Sequence, residues 1–194
     1  MVSADRAVFE WLNGLAGRWP ALDSVMRLVV SDFFLPVVIA LAVVMLWFAG
    51  RSQEERTRWQ WTFIIANGGA GFANLAVSIF NSNFYRARPF IALEDVHVLF
   101  YRPHDPSFPS NAAAYGFAMA TGVFLYNKKW GLVVGAFAFA FAFARVYAGM
   151  HFPLDVIGGA LIGILVTWLF AKVLSLFEPF ILRALALLRR VPMA

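Results

Sequence analysis

Long uncharged runs alternate with short charged turns along this chain. The runs cover residues 33–50, 59–85, 106–127, 130–144 and 156–171. A charge at the centre of a bilayer costs at least about 2.5–3.5 kcal/mol, and a spanning helix needs about 20 apolar residues. The runs therefore predict five membrane spans, at about 22–49, 58–80, 110–127, 130–149 and 153–177. The two shorter runs reach that length only by taking in Arg145 and Lys172 near an end. Lys172 can snorkel to the interface; Arg145 calls for another explanation. Residues 136–144 alternate Ala and Phe, the period of a strand. A membrane barrel would need many such segments of about 10 residues, and the other runs are continuous, so this stretch is read as a helix with phenylalanines on most sides.

The two ends read differently. Residues 5–19 place Val8, Phe9, Leu12, Leu15 and Ala16 at helical spacing, with charges and Asn13 between them, which predicts a short interfacial helix. A basic start followed by an apolar core is missing, so this is not read as a signal peptide. The tail 178–194 carries Leu182, Leu185 and Leu188 with Arg183, Arg189 and Arg190 and predicts a second interfacial helix. The expected fold is an all-α integral-membrane bundle of five to six transmembrane helices, one domain over 1–194, flanked by interfacial helices.

Composition agrees. Of 194 residues, 61% are hydrophobic and 14% charged, against about 45–50% and about 25% in soluble domains. That excludes a disordered chain, and the absence of cysteine excludes a disulfide scaffold and thiolate metal sites. Net charge is +5, from 16 Lys+Arg and 11 Asp+Glu. In a membrane protein this points to cytoplasmic loops and anionic lipid rather than nucleic acid. Arg51, Arg56, Arg58, Lys128, Lys129 and the tail arginines fall on one side of a five-span chain, which makes that side cytoplasmic. The loop 81–109 then faces outward, although it holds Arg86, Arg88 and Arg102. Arginines on the disfavoured side invite a functional reading.

Three segments share that outer face: Arg86-Ala87-Arg88-Pro89, Phe108-Pro109-Ser110-Asn111, and the stretch with Arg145, His151 and Asp155. Arg88 and Arg145 are permanent cations with donor forks suited to phosphate oxygens. Ser110 is a good N-cap, and the helix N-terminus behind it favours an anion. His151 and Asp155 are four residues apart, about one helical turn. The carboxylate can then bond one ring nitrogen of His151 and leave the other free as a nucleophile. This is a phosphate cradle with an oriented imidazole. It needs no cofactor, and His97, His104 and His151 lack metal-ligand spacing.

These segments resemble the three-part signature of the type 2 phosphatidic acid phosphatase (PAP2) superfamily of membrane lipid phosphatases: Lys-x6-Arg-Pro, Pro-Ser-Gly-His and Ser-Arg-x5-His-x3-Asp. The first matches at Arg88-Pro89, the second at Pro109-Ser110, and the third at Arg145-x5-His151-x3-Asp155, within a motif core of 81–155. The short chain and the Arg-x-Arg-Pro-Phe and Phe-Pro-Ser-Asn runs look most like the bacterial branch that dephosphorylates undecaprenyl pyrophosphate, recycling the cell-wall lipid carrier. The resemblance implies a metal-independent hydrolase of the inner membrane, with its site facing the periplasm. His151 would attack phosphorus, Asp155 would orient it, and Arg88, Arg145 and Ser110 would hold phosphoryl oxygens. Phosphatidylglycerophosphate or phosphatidate is the alternative substrate.

The departures from the signature change the expectation. The family lysine falls on Asn81, with Arg86 as its expected substitute; Asn111 replaces Gly and Ala144 replaces Ser. Ala112 stands where the family carries the histidine that protonates the leaving oxygen. General acid catalysis is worth about 10²–10⁴-fold, so impairment is expected, whether Ala112 is a natural loss or a His-to-Ala change. Two rival readings remain: a lipid-phosphate binder that has lost its chemistry, and a structural membrane protein in which Arg145 is only an interfacial anchor. Arg86 and Arg102 read equally well as headgroup contacts. His97 and His104 read first as plain loop residues and second as substitute proton donors. The glycine pairs 131/135 and 159/163, and Gly68, Gly69 and Gly71, are expected to permit close helix packing.

Overall fold

The computed structural model describes residues 3–188, all helix and loop. In chain order the helices are α1 (Ser3–Asn13), α2 (Pro20–Val30), α3 (Phe34–Phe48), α4 (Gln53–Asn83), α5 (Pro89–Ala92), α6 (Asn111–Phe124), α7 (Lys128–Tyr147), α8 (Pro153–Ser175) and α9 (Glu178–Leu188). Three of them, α4, α7 and α8, are long and apolar enough to cross a membrane, and α2 with α3, a pair bent by 50°, makes four when counted as one span. The expected span 22–49 is thus two helices, broken at Ser31, Asp32 and Phe33. Asp32 lies at the break, and its carboxylate is committed to Arg145 of α7 and to the Tyr101 hydroxyl.

The expected span 110–127 is the 14-residue α6, about 21 Å long at 1.5 Å per residue. That falls short of a bilayer core of about 30 Å. It is tolerated because α6 is the inner helix of the bundle, packed against α4, α7 and α8 with Ala113, Ala114, Ala118, Met119 and Val123 fully inside. The Ala-Phe alternation is helical as expected. Ala138, Phe141 and Ala142 face inward, while Phe137 and Phe139 face outward.

Small residues set how closely α6 and α8 approach. A Cβ on Gly159 would fall 2.2 Å from the Ser110 carbonyl oxygen, and one on Gly163 would fall 2.3 Å from that of Ala114. Gly68 and Gly69 admit Phe170 and Thr167 of α8 against α4. Gly71 meets nothing within 4 Å, so it has no packing role.

α1 does more than lie on a surface. Its Asp5, Phe9 and Asn13 point into the bundle, while Val8 and Trp11 stay outside. The two polar residues turn inward because they have partners there. Asn13 bonds the carbonyls of His97 and Tyr147 and accepts from the His97 N–H. Asp5 accepts from Arg86 and from the Leu154 N–H. At the other end of the chain α9 includes Arg183; Arg189 and Arg190 lie outside the described residues.

Gly163→Ala is expected to cost about 1–3 kcal/mol, the range for overfilling a packed contact. Gly71→Ala, with open space at its Cβ, is expected to leave stability unchanged or slightly higher. Thermal unfolding of the two variants in the same detergent checks the contrast.

Candidate active site

The spacing of Arg145, His151 and Asp155 has a local cause. α7 ends in a Schellman motif: the Met150 N–H bonds the Arg145 carbonyl at 3.0 Å, and the Gly149 N–H bonds that of Val146 at 3.1 Å. Gly149 takes φ +77°, and a Cβ there would strike the His97 carbonyl oxygen at 2.8 Å. Two residues after His151, Pro153 opens α8, where a first-turn proline costs no hydrogen bond. Asp155 accepts the Phe152 N–H at 2.8 Å, as an N-terminal acidic residue does. His151 is therefore fixed between a closed helix end and a capped helix start.

Asp155 is wholly buried and four-way engaged. One carboxylate oxygen accepts from Arg86 at 2.5 Å; the other accepts from the Ser107 hydroxyl at 2.5 Å and the Phe152 N–H at 2.8 Å. Its backbone carbonyl accepts the Ser110 N–H at 2.9 Å. The expected direct bond to His151 is not made: Oδ2 lies 3.8 Å from Nδ1. Instead Nδ1 meets the Ser107 carbonyl oxygen at 2.8 Å. A carbonyl only accepts, so Nδ1 carries the proton. Nε2 lies 3.1 Å from an Arg88 nitrogen, which only donates, so Nε2 presents its lone pair. Both contacts select the same neutral tautomer. Burial holds the His151 pKa below its ordinary value, and the guanidiniums of Arg88 and Arg145 push the same way, against Asp155.

Nε2 opens on a cavity of about 350 Å³ at the end of the bundle where α4 and α7 finish and α6 and α8 begin. Arg88, Arg145, Asn111, Ala112 and His151 line it, so four helix ends and the 84–110 loop converge on one mouth. The two arginine side chains are 4% and 5% exposed; their carboxylate partners Asp105 and Asp32 are 55% and 36% exposed. The cations are thus fixed by burial, whereas the anions can swing into water. Arg88 also donates to the carbonyls of Asp105 and Met150 at 2.9 Å. Arg145 lies over the Phe141 ring, and its Nε has no partner among the described residues.

Other expected residues lie elsewhere. Arg86 faces away from the cavity, bridging Asp155 and Asp5 at 2.5 Å each and lying over the Phe152 ring. It is paired with the carboxylate beside His151 and does not line the cavity, as the expected substitute phosphate ligand would. Ser110 is buried as the N-cap of α6 and is not part of the cavity wall. Asn81 lines an adjoining polar recess that shares Asn74, Asp105 and Asn111 with the cavity. His97 packs against Gly17, His104 is exposed, and neither reaches the cavity. Asp32, Tyr101 and Asp105 line it but belong to no motif. An acidic residue inside the first span was their one visible trace.

The model of the PAP2 superfamily matches residues 59–178. Undecaprenyl-diphosphatase BcrC of Bacillus subtilis is 27% identical over 175 residues, covering 90% of this chain and 86% of that protein. The bacitracin transport permease protein BcrC of Bacillus licheniformis is 30% identical over 157 residues, 81% and 74% of the two chains. The crystal structure of Aquifex aeolicus LpxE superposes with a TM-score of 0.68 at 28% identity, covering 88% of this chain and 96% of that one. A transmembrane PAP2-type phosphatidylglycerolphosphate phosphatase from Bacillus subtilis shares the fold, with a TM-score of 0.64 at 24% identity over 89% and 85%.

Arg86→Ala is expected to destabilise the protein by about 3–5 kcal/mol, because it leaves two buried carboxylates without their cation. Arg86→Lys recovers only part of this, since one ammonium cannot serve both partners as a planar fork does. Unfolding midpoints of the two variants against the parent protein decide it.

Proposed function

The chain belongs to the PAP2 superfamily, and on that premise we propose that it hydrolyses the phosphate of a membrane lipid, with undecaprenyl pyrophosphate as the preferred substrate and undecaprenyl phosphate as product. The observation that carries this reading is the neutral His151, its Nδ1–H held by the Ser107 carbonyl and its Nε2 facing two buried arginines.

Substrate phosphate would displace the exposed carboxylate of Asp105 from Arg88 and accept from the Nε–H of Arg145, with Asp32 kept on the terminal nitrogen of that guanidinium. Nε2 would then attack phosphorus, forming an N–P bond as the bridging P–O bond breaks. Positive charge growing on the ring is stabilised at Nδ1–H by the Ser107 carbonyl. Ser107 is itself held by Asp155, so Asp155 is a positioning residue that acts through it. Water would next attack the phosphohistidine, returning the imidazole and inorganic phosphate. The buried arginines stabilise the same equatorial oxygens in both steps, and no step requires a metal.

The multi-pass helices support placement in a membrane. The reading puts the site on the outer face of the bacterial cytoplasmic membrane. Arg58, Lys128 and Lys129 lie at the opposite end of the bundle, where Arg58 donates to the Tyr126 carbonyl. That end would be cytoplasmic by the positive-inside rule.

Phosphate release from undecaprenyl pyrophosphate in detergent tests the proposal. His151→Ala is expected to fall to background, and an acid-labile phosphoryl adduct should form on the parent chain and not on this variant. Because attack needs the neutral ring and burial lowers the His151 pKa, activity should persist as pH falls past about 6.5, with the acid limb of kcat/KM below that value. Release that survives in His151→Ala overturns the mechanism.

A further inference from the structure

Among the described residues, the cavity wall holds no side chain free to donate a proton to a leaving oxygen. Its hydroxyls are spent: Tyr101 donates to Asp32 at 2.8 Å, and Tyr115 donates to the Pro36 carbonyl at 3.2 Å. Its carboxylates sit at the rim as acceptors, Asp105 from Arg88 at 3.0 Å and Asp32 from Arg145. The guanidiniums do not release protons, and the one ring N–H of His151 belongs to the Ser107 carbonyl. At the first turn of α6 the wall is the amide of Asn111 and the methyl of Ala112.

A leaving group must therefore depart as the anion it already is. A phosphate ester would expel an alkoxide, a base comparable to hydroxide, whose parent water has a pKa of about 15.7. A phosphoanhydride expels a phosphate monoester, which takes its last proton only near pKa 6, roughly. Only the second departure is feasible without an acid.

The structure also offers that phosphate a place. A polar recess of about 370 Å³ adjoins the cavity through Asn74, Asp105 and Asn111 and continues along α4 past Ser78, Asn81 and Ser82. The side-chain oxygens of Asn74 and Asn81 are buried there with no partner among the described residues. The two ends of an amide exchange by a simple flip, so either residue can turn its NH₂ toward a phosphate oxygen.

We propose that this chain is selective for phosphoanhydrides over phosphate esters, and that it seats the departing phosphate in the asparagine- and serine-lined recess on α4. The inference rests on the hydrolase reading above. Nε2 attacks the terminal phosphorus, the N–P bond forms, and the bridging P–O electron pair stays on the lipid phosphate, which leaves as a dianion with no proton added. Water then bonds to phosphorus as the N–P bond breaks, and both its protons remain with the released H₂PO₄⁻. Asp105 turns outward as the anion takes Arg88.

The test uses one alkyl chain with two headgroups, dodecyl diphosphate and dodecyl monophosphate, in detergent micelles, with phosphate release as readout. The parent chain is expected to favour the diphosphate by at least about 10²-fold. Ala112→His places an imidazole on the wall and is expected to shrink that ratio by about 10²–10⁴-fold, the worth of a general acid. Asn81→Ala is expected to raise KM for the diphosphate more than for the monophosphate. Equal rates on both substrates, or a ratio that Ala112→His leaves intact, overturn the selectivity while the hydrolase reading stands. So does phosphate released only after Ala112→His. An equal rise of both KM values in Asn81→Ala overturns the recess as the leaving-phosphate site. No release from either substrate by either protein overturns the hydrolase reading itself.

Discussion

One carboxylate held out of reach of water, that of Asp155, organises this end of the bundle. Asp155 costs several kcal/mol to bury as an ion, and such a cost is recovered only where partners fill its lone pairs. The partners come from separate parts of the chain: Arg86 and Ser107 from the long loop, Phe152 from the start of α8. Satisfying Asp155 therefore folds the loop. Ser107, once held by its hydroxyl, offers its carbonyl to His151, and Arg86, once paired, reaches on to Asp5 of α1. The orientation of the imidazole is a consequence of where that buried charge found its hydrogen bonds.

The charges around the cavity follow a different rule. Arg88 and Arg145 are held inside, while Asp105 and Asp32 sit at the rim. Without an anion the four balance, so the guanidiniums never stand alone in a low dielectric. On the proposed reading an arriving phosphate would replace Asp105 at little cost, because an exposed carboxylate regains water as it swings out. The arginines need not reorganise, and the site is pre-formed for the more demanding part of recognition.

The sequence disclosed what local rules govern. Helix ends are written in it: Gly149 closes α7, Pro153 opens α8, Ser110 caps α6, and these fix the Arg-x5-His-x3-Asp spacing that pointed to the site. The spans were legible because burying charge in lipid is expensive. Long-range choices were not legible. Nothing near Arg86 says that it will turn from the cavity to bridge Asp5 and Asp155, since both partners lie far off in sequence. The break at residues 31–33 follows from the commitment of Asp32 to Arg145, a contact across 113 positions. The shortness of α6 likewise depends on its neighbours shielding it from lipid. The expected His151–Asp155 bond failed for the same reason: one-turn spacing brought the pair close, but Ser107 reached the carboxylate from another segment.

A purely structural reading of the bundle has to account for two buried cations on one cavity. Replacing buried ion pairs by apolar side chains is often neutral or stabilising, so stability alone gives little reason for Arg88 and Arg145 to lie inside with their partners outside. The unpartnered Nε of Arg145 sharpens the point, because a buried donor left unsatisfied costs about 1–3 kcal/mol. On the proposed reading a phosphate oxygen would accept from that N–H. The donor would then be satisfied beside the His151 lone pair, which accounts for the buried arginines as part of the site rather than of the bundle alone.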